Sequence, residues 1–265
     1  MRALRALGEA DVIACEDTRL TGTLMARYGI ATPLVAYHEH NAARMRPHLL
    51  RRLAFGETVA LVSDAGTPLI SDPGYKLVRE ATQAGLPVTA LPGASAVLCG
   101  LVLSGLPTDR FLFAGFLAPK SAARRTALGA LKEVPASLVF FESPGRLAAS
   151  LDDMAAVLGA RPAAVARELT KLFEDVRRGS LGELAAHYAA AGAPRGEVVV
   201  VVGPPQDVTG EASDESLERA LGIALQTMSL RDAAAAVAVA TGRPRREVYA
   251  RALALLGDGK KSENQ

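Results

Sequence analysis

Two stretches of this sequence hold residue types suited to recognising a small polar ligand: Leu61–Gly74, LVSDAGTPLISDPG, and Leu91–Ala96, LPGASA. Glycine lets a ligand approach the main chain, so that N–H and C=O groups do the recognising. The apolar run Thr58–Ser63 reads as a buried strand that breaks into the first loop at Ser63-Asp64-Ala65-Gly66. A second run, Pro87–Leu91, reads as a strand that breaks at Pro92-Gly93 and leads into a helix over Ala94–Ser104. Strands ending side by side in such loops build a crevice at the carboxyl edge of a sheet, where open α/β proteins bind ligands. Ordinary strand-to-helix turns also favour Gly and Pro. So long a run of that bias exceeds what turn chemistry alone requires.

The elements that must hold these loops alternate along the chain. Strand-like Val12–Cys15 precedes helical Leu20–Tyr28, Leu34–Tyr37 precedes Asn41–Phe55, and Thr58–Ser63 precedes Tyr75–Ala84. This alternation predicts a mostly parallel sheet covered by helices, although the chain opens on a helical pattern, Arg2–Gly8, rather than on a strand. The pattern changes near Leu106–Arg110. Strand candidates Phe111–Phe116, Ser137–Glu142, Ala163–Leu169, Phe173–Arg178 and Val198–Val202 are then separated by helices at Ala122–Lys132, Arg146–Leu158 and Leu181–Ala191. After Gly203-Pro204-Pro205 and a polar linker come helices alone: Asp214–Gln226, Leu230–Thr241 and Pro244–Leu256, the last two resembling a helix-turn-helix pair, before a polar tail, Asp258–Gln265, expected to fray. The expected division is an α/β lobe over 1–107, an α+β lobe over 108–205 and a helical extension over 212–257.

A chain of 265 residues with 49% hydrophobic and 22% charged residues has the composition of a globular protein with substantial cores. No apolar stretch approaches the roughly 20 residues of a membrane span, and the N-terminus lacks the apolar block of a signal peptide, so a cytoplasmic protein without membrane partners is expected. Cys15 and Cys99 sit in apolar settings and read as buried thiols. The net charge of +2 does not announce a nucleic-acid binder, but cations cluster locally: Lys120, Arg124, Arg125 and Lys132; Arg177-Arg178; and Arg243, Arg245, Arg246 and Arg251. Each cluster also fits a solvated helix face. His38-x-His40 invites a metal, yet only His48 and His187 remain and no cysteine lies in register, so no metal site is expected. No G-x-G-x-x-G follows the first strand, which removes the main support for a Rossmann dinucleotide reading.

Further runs complete the pattern: Glu16-Asp17-Thr18-Arg19, Tyr37-His38-Glu39-His40-Asn41, Gly105–Phe111, Glu142-Ser143-Pro144 with Arg146, Arg167-Glu168-Leu169-Thr170-Lys171 with Glu174, and Arg195-Gly196-Glu197. With the two glycine loops, and over nearly the whole chain, they make the sequence resemble the tetrapyrrole methylase superfamily. Within it the resemblance is to the branch that 2′-O-methylates a cytidine in the decoding region of 16S ribosomal RNA. The Glu-Asp-Thr-Arg and Arg-Glu-Leu-Thr-Lys runs single out that branch. Members of the family carry a further N-terminal strand and a Pro-x-Gly-Asn-Leu-type loop ahead of the position of Arg2, and this sequence does not.

The resemblance implies a two-lobed α/β fold with a small helical extension, S-adenosylmethionine as methyl donor, a homodimer, and the small ribosomal subunit as partner. It places Asp64, Ala65, Gly66 and Thr67 with Pro92, Gly93, Ser95 and Ala96 against the cofactor, while Ser95 equally fits a helix N-cap. Asp17, Arg19, Glu142, Arg146, Arg167, Glu168 and Lys171 form the catalytic group, with Glu16 and Glu174 as further carboxylates. The cations suit phosphates flanking a target nucleotide, and plain structural ion pairs account for the same residues. The general base stays unassigned. Two other readings remain: a methylase of a corrin or porphyrin ring, and a ribosome-binding protein without catalysis.

Overall fold

Short runs of Val, Ile and Ala between polar residues form the first sheet. In a computed structural model, which describes residues 2–205, 214–226, 228–241 and 243–262, β1 (Val12–Cys15), β2 (Leu34–Ala36) and β3 (Val59–Val62) are parallel in the order β2-β1-β3. The central strand β1 is wholly buried, as a parallel strand covered on both faces must be. Its alternation sends Val12 and Ala14 to one face, with Tyr37, Leu49 and Leu77, and Ile13 and Cys15 to the other, with Met25. The helices are α1 (Arg2–Glu9), α2 (Thr18–Arg27), α3 (Ala42–Ala54), α4 (Tyr75–Gln83) and α5 (Ala96–Ser104). Compact units Met1–Cys99 and Gly100–Gln265 divide within α5, upstream of the change of pattern at Leu106–Arg110.

The expected strand Pro87–Leu91 is not formed: the segment from Pro87 to Ser95 has no regular structure, and Val88 is 52% exposed. A strand exists through its ladder, and among the described residues nothing pairs with this run, while Pro87 has no N–H to offer. The outer edge of β3 is likewise without a strand partner among the described residues. Of the thiols, Cys15 is buried as expected, whereas Cys99 is only half-buried; both are free.

The second sheet runs β4-β5-β8-β6-β7, from β4 (Phe111–Phe116), β5 (Ser137–Glu142), β6 (Pro162–Arg167), β7 (Asp175–Ser180) and β8 (Val198–Val202). Only β4 and β5 are parallel. The five valines of β8 are all buried at the centre. One core joins Leu138, Phe140 and Val200 to Leu147, Leu151 and Met154 of α7 (Leu147–Leu158) and to Leu181 and Leu184 of α8 (Leu181–Ala191). Strand β7 starts two residues later than the sequence suggests, because Glu168–Glu174 is folded as a loop.

The remaining helices, α9 (Asp214–Leu225), α10 (Leu230–Thr241) and α11 (Arg245–Ser262), share a small core of Leu217, Leu221, Ala234, Val237, Val248 and Ala252. The helical backbone of α11 continues to Ser262 through the tail expected to fray, and the expected linker after Pro205 lies largely outside the described residues. No described helix is long and apolar enough to cross a membrane.

Candidate functional site

The register Cys15↔Val62 brings the carboxyl ends of β1 and β3 together, so Glu16-Asp17 and Ser63-Asp64 leave the sheet as neighbours. The Asp17 N–H donates to Asp64 Oδ1 at 3.2 Å. The Asp17 side chain caps α2, accepting from the Arg19 N–H at 2.8 Å and from its guanidinium at 2.8 Å. Those hydrogen bonds lower the Asp17 carboxyl from 3.8 to about 2. A depressed carboxyl contributes stability that is present above its unfolded value and lost as pH falls through the folded one, so this cap weakens only between about pH 4 and pH 2. Burial, with the charges of Asp64 and Asp72, pushes Glu16 up; burial also pushes Asp72 up.

The two glycine loops meet although Pro87–Leu91 is not a strand. The Thr67 hydroxyl donates to the Ala94 carbonyl at 2.9 Å, tying Asp64–Thr67 to Pro92–Ala96. Leu69 and Ser71 hold positive φ of 73° and 64°, a conformation that non-glycine residues keep only where surroundings enforce it. Gly66 has φ +69°, and a Cβ there would meet nothing within 4 Å; Gly93 faces open space too. Ser95 caps α5, its hydroxyl accepting weakly from the Leu98 N–H at 3.4 Å, so the N-cap function is present. The N–H groups of Ala96 and Val97, in the first turn of α5, lack helical partners. Glycine clearance, a carboxylate and free N–H groups fit a ligand with both hydroxyl and carboxylate ends. The His38 N–H donates to Asn41 Oδ1 at 2.9 Å and the Asn41 amide donates to the Ala36 carbonyl at 2.9 Å, and no group of His, Cys, Asp and Glu among the described residues could hold a metal.

In the second unit, Glu142 is buried and saturated, accepting from Ser150 Oγ at 2.5 Å, the Ser143 N–H at 2.7 Å and Arg146 Nη2 at 2.7 Å. Glu142 therefore positions Arg146, whose Nε also donates to Ser143 Oγ at 2.8 Å. The Arg-Glu-Leu-Thr-Lys run forms a tight loop with Glu168 and Thr170 at φ 50° and 64°. Glu168 Oε1 accepts from Lys171 Nζ at 2.9 Å and from the Glu197 N–H at 3.1 Å, while Lys171 also reaches Glu197 Oε2 at 2.8 Å. Lys171 and then the Glu197 amide lower Glu168; Glu197 and then Glu168 raise Lys171. Glu174 closes the loop by accepting from the Thr170 N–H at 2.7 Å. Gly196 has φ +90°, and a Cβ there would lie 2.0 Å from Glu168 Oε1. Gly196→Ala is expected to pull Glu168 and Lys171 off the 195–197 segment, raising its amide hydrogen exchange at least tenfold. Unchanged protection at Glu197 would show that the loop does not depend on this approach.

The cationic clusters do not hold together as units in the structure. Arg124 is not a surface group: it is 4% exposed and paired with Asp153, which also binds Arg125. Strand alternation sends Arg177 and Arg178 to opposite faces. Arg178 donates to the carbonyls of Leu103 and Ser104 at the end of α5, whereas Arg177 lines a pocket with Arg167 and Arg195. Arg243 and Arg251 pair with Glu247 and Glu218, leaving Arg245 and Arg246 exposed at the start of α11. Sequence reasoning missed Tyr188 and His187 of α8, which line the Arg167 pocket; nothing in their spacing on a helix distinguishes them from core residues.

Residues 1–185 match the family model of Tetrapyrrole (Corrin/Porphyrin) Methylases, and residues 211–256 match that of the RsmI C-terminal HTH domain. The chain is 52% identical over 256 residues to a Mesorhizobium japonicum protein named Ribosomal RNA small subunit methyltransferase I, covering 96% of this chain and 86% of that one. A Pseudomonas aeruginosa protein of the same name is 47% identical, covering 95% and 90%. Among solved structures, diphthine synthase aligns at TM-score 0.57 with 19% identity, over 77% of this chain and 83% of that one. Uroporphyrin-III C-methyl transferase from Thermus thermophilus, complexed with S-adenyl homocysteine, aligns at TM-score 0.51 with 22% identity, over 76% and 89%. With one glycine loop leaving a parallel sheet, a second tied to it, and matches running nearly end to end, the chain belongs to the tetrapyrrole methylase family, on the branch of the ribosomal RNA small subunit methyltransferases I.

Proposed function

We propose that this protein transfers a methyl group from S-adenosylmethionine to the ribose 2′-hydroxyl of a cytidine in the decoding region of 16S ribosomal RNA. The observation that carries this reading is the Thr67–Ala94 hydrogen bond that joins the two glycine loops, in a chain so close to proteins named for ribosomal RNA methylation. The donor supplies a methyl already activated by its sulfonium. Asp64 suits the donor's ribose hydroxyls or amino group, and the free N–H groups of Ala96 and Val97 suit its carboxylate. Gly66 and Gly93 leave room for close approach.

The chain's task is then alignment: holding the 2′-oxygen in line with the methyl so that the C–O bond forms as the C–S bond breaks, with the hydroxyl proton released. Arg146, held in place by Glu142, and Arg167 supply charge for flanking phosphates, while Lys171 and Glu168 brace the loop between them and Glu197. A net charge of only +2 favours a folded ribosomal particle over naked RNA as substrate, since bulk electrostatics would grip the latter weakly.

Mapping ribose methylation in rRNA from a strain deleted for this gene tests the reading. The expected result is loss of a 2′-O-methyl at one decoding-region cytidine, restored by the intact gene and not by Arg167→Ala. A methylation pattern identical to wild type would remove the RNA reading and favour a small-molecule substrate.

A further inference from the structure

The open edge of the second sheet carries a pocket of about 550 Å³, within the range of about 300–1,000 Å³ in which small ligands bind. Three guanidinium groups reach it. Arg167 makes one long contact to Asp175 at 3.4 Å, and Arg177 touches the Tyr188 hydroxyl. Arg195 is exposed, and its side chain enters no hydrogen bond or ion pair among the described residues. The carboxylates nearby do not cancel this charge: Glu168 is taken by Lys171 and the Glu197 amide, leaving Asp175 against three arginines.

Aromatic rings share the pocket. Tyr188 is buried, edge-on to His187 at 4.9 Å. Phe173 stands 68% exposed, on the loop that Glu168, Thr170 and Glu174 hold in a strained conformation. A rigid loop with an exposed phenyl ring beside spare arginines is the arrangement with which proteins stack an unpaired base and hold its phosphate. The end of α8 forms another wall, through Ala191 and Gly192. Helix C-termini present carbonyls, which repel a phosphate and accept from a base amine. Arginines on one side and carbonyls on the other thus give the pocket a polarity matching a nucleotide's two ends.

We propose that this pocket is a second RNA subsite, seating one unstacked nucleotide of the substrate with its phosphate at Arg177 and Arg195 and its base against Phe173. The proposal deepens the RNA reading above and rests on it. Equilibrium binding of fluorescently labelled small ribosomal subunits, taken from a strain deleted for this gene, to the full chain, measured across salt concentrations, tests it alongside methylation of those subunits and calorimetry with S-adenosylmethionine. Arg195→Ala should weaken RNA binding about fivefold and lower the slope of log K against log salt by about 0.7, the value of one single-strand phosphate contact. Arg195→Lys should recover the slope, and Phe173→Ala should weaken binding about fivefold without changing it. S-adenosylmethionine affinity should not move in any of them. RNA affinity and salt slope unchanged in Arg195→Ala and Phe173→Ala, while the parent chain binds and methylates the subunits, would overturn the subsite and leave the RNA reading standing. Failure of the parent chain to bind or methylate the subunits would remove both.

Discussion

Asp153→Ala is expected to lower the stability of the second unit by about 3–5 kcal/mol, because it strands a buried guanidinium. Asp153 and Arg124 are 2% and 4% exposed, and Asp153 Oδ2 accepts from Arg124 Nε at 2.7 Å. The same carboxylate binds Ser121 Oγ at 2.9 Å and Arg125 Nε at 2.5 Å. With Asp153 gone, Arg124 keeps the carbonyls of Ala118 and Pro119 at 3.3 and 3.1 Å but no counter-charge. The reverse change, Arg124→Ala, leaves Asp153 paired with Arg125 and Ser121, so it should cost clearly less. Denaturant unfolding followed by a probe in this unit measures both. Equal losses from the two variants would show that the attraction, rather than the stranded charge, sets the energy.

That pair also shows where sequence reading stops. Lys120, Arg124, Arg125 and Lys132 read as one cationic face, and helical spacing gives no sign that Arg124 turns inward. The turn is decided by Asp153, which reaches Arg124 from α7. Strands such as β1, β5 and β8 were legible because buried ladders demand unbroken apolar runs, and their ends are marked by charge or glycine. Pro87–Leu91 satisfied the same pattern and failed, since composition cannot report whether a run is seated against a sheet edge. The glycine loops were legible as loops through composition. What fastens them together, a threonine hydroxyl on a distant carbonyl, was not.

Backbone strain adds a second layer invisible in the sequence. The positive-φ non-glycine residues of the described chain are Leu69, Ser71, Glu168 and Thr170. They fall in the Leu61–Gly74 loop and the Arg-Glu-Leu-Thr-Lys loop, which are the runs singled out for chemistry. Each such residue costs on the order of 1–3 kcal/mol and persists only where surrounding contacts over-determine it. In the second loop those contacts are identifiable as the Lys171, Glu174 and Glu197 bonds. Strain concentrated in these two loops favours the proposal that they contact ligand, an argument independent of any relative.

Gly66→Val is expected to weaken S-adenosylmethionine binding at least tenfold, about 1.4 kcal/mol, and Asp64→Ala by a similar factor. The arguments differ. At Gly66 the backbone sits at φ +69°, which a β-branched residue scarcely adopts, and the new side chain would enter space that is open in the protein alone. Asp64 loses a carboxylate that also accepts from the Asp17 N–H, so both the ligand contact and the join between β1 and β3 weaken. Gly56 provides the control: its φ is +87° and its surroundings are equally open, but it lies in the turn before β3, at the far end of that strand. Gly56→Ala should therefore lose stability without losing affinity. Calorimetric titration of the three variants, each shown to be folded by circular dichroism, separates backbone strain from ligand contact. Wild-type affinity in a folded Gly66→Val protein would place the methyl donor elsewhere in the molecule.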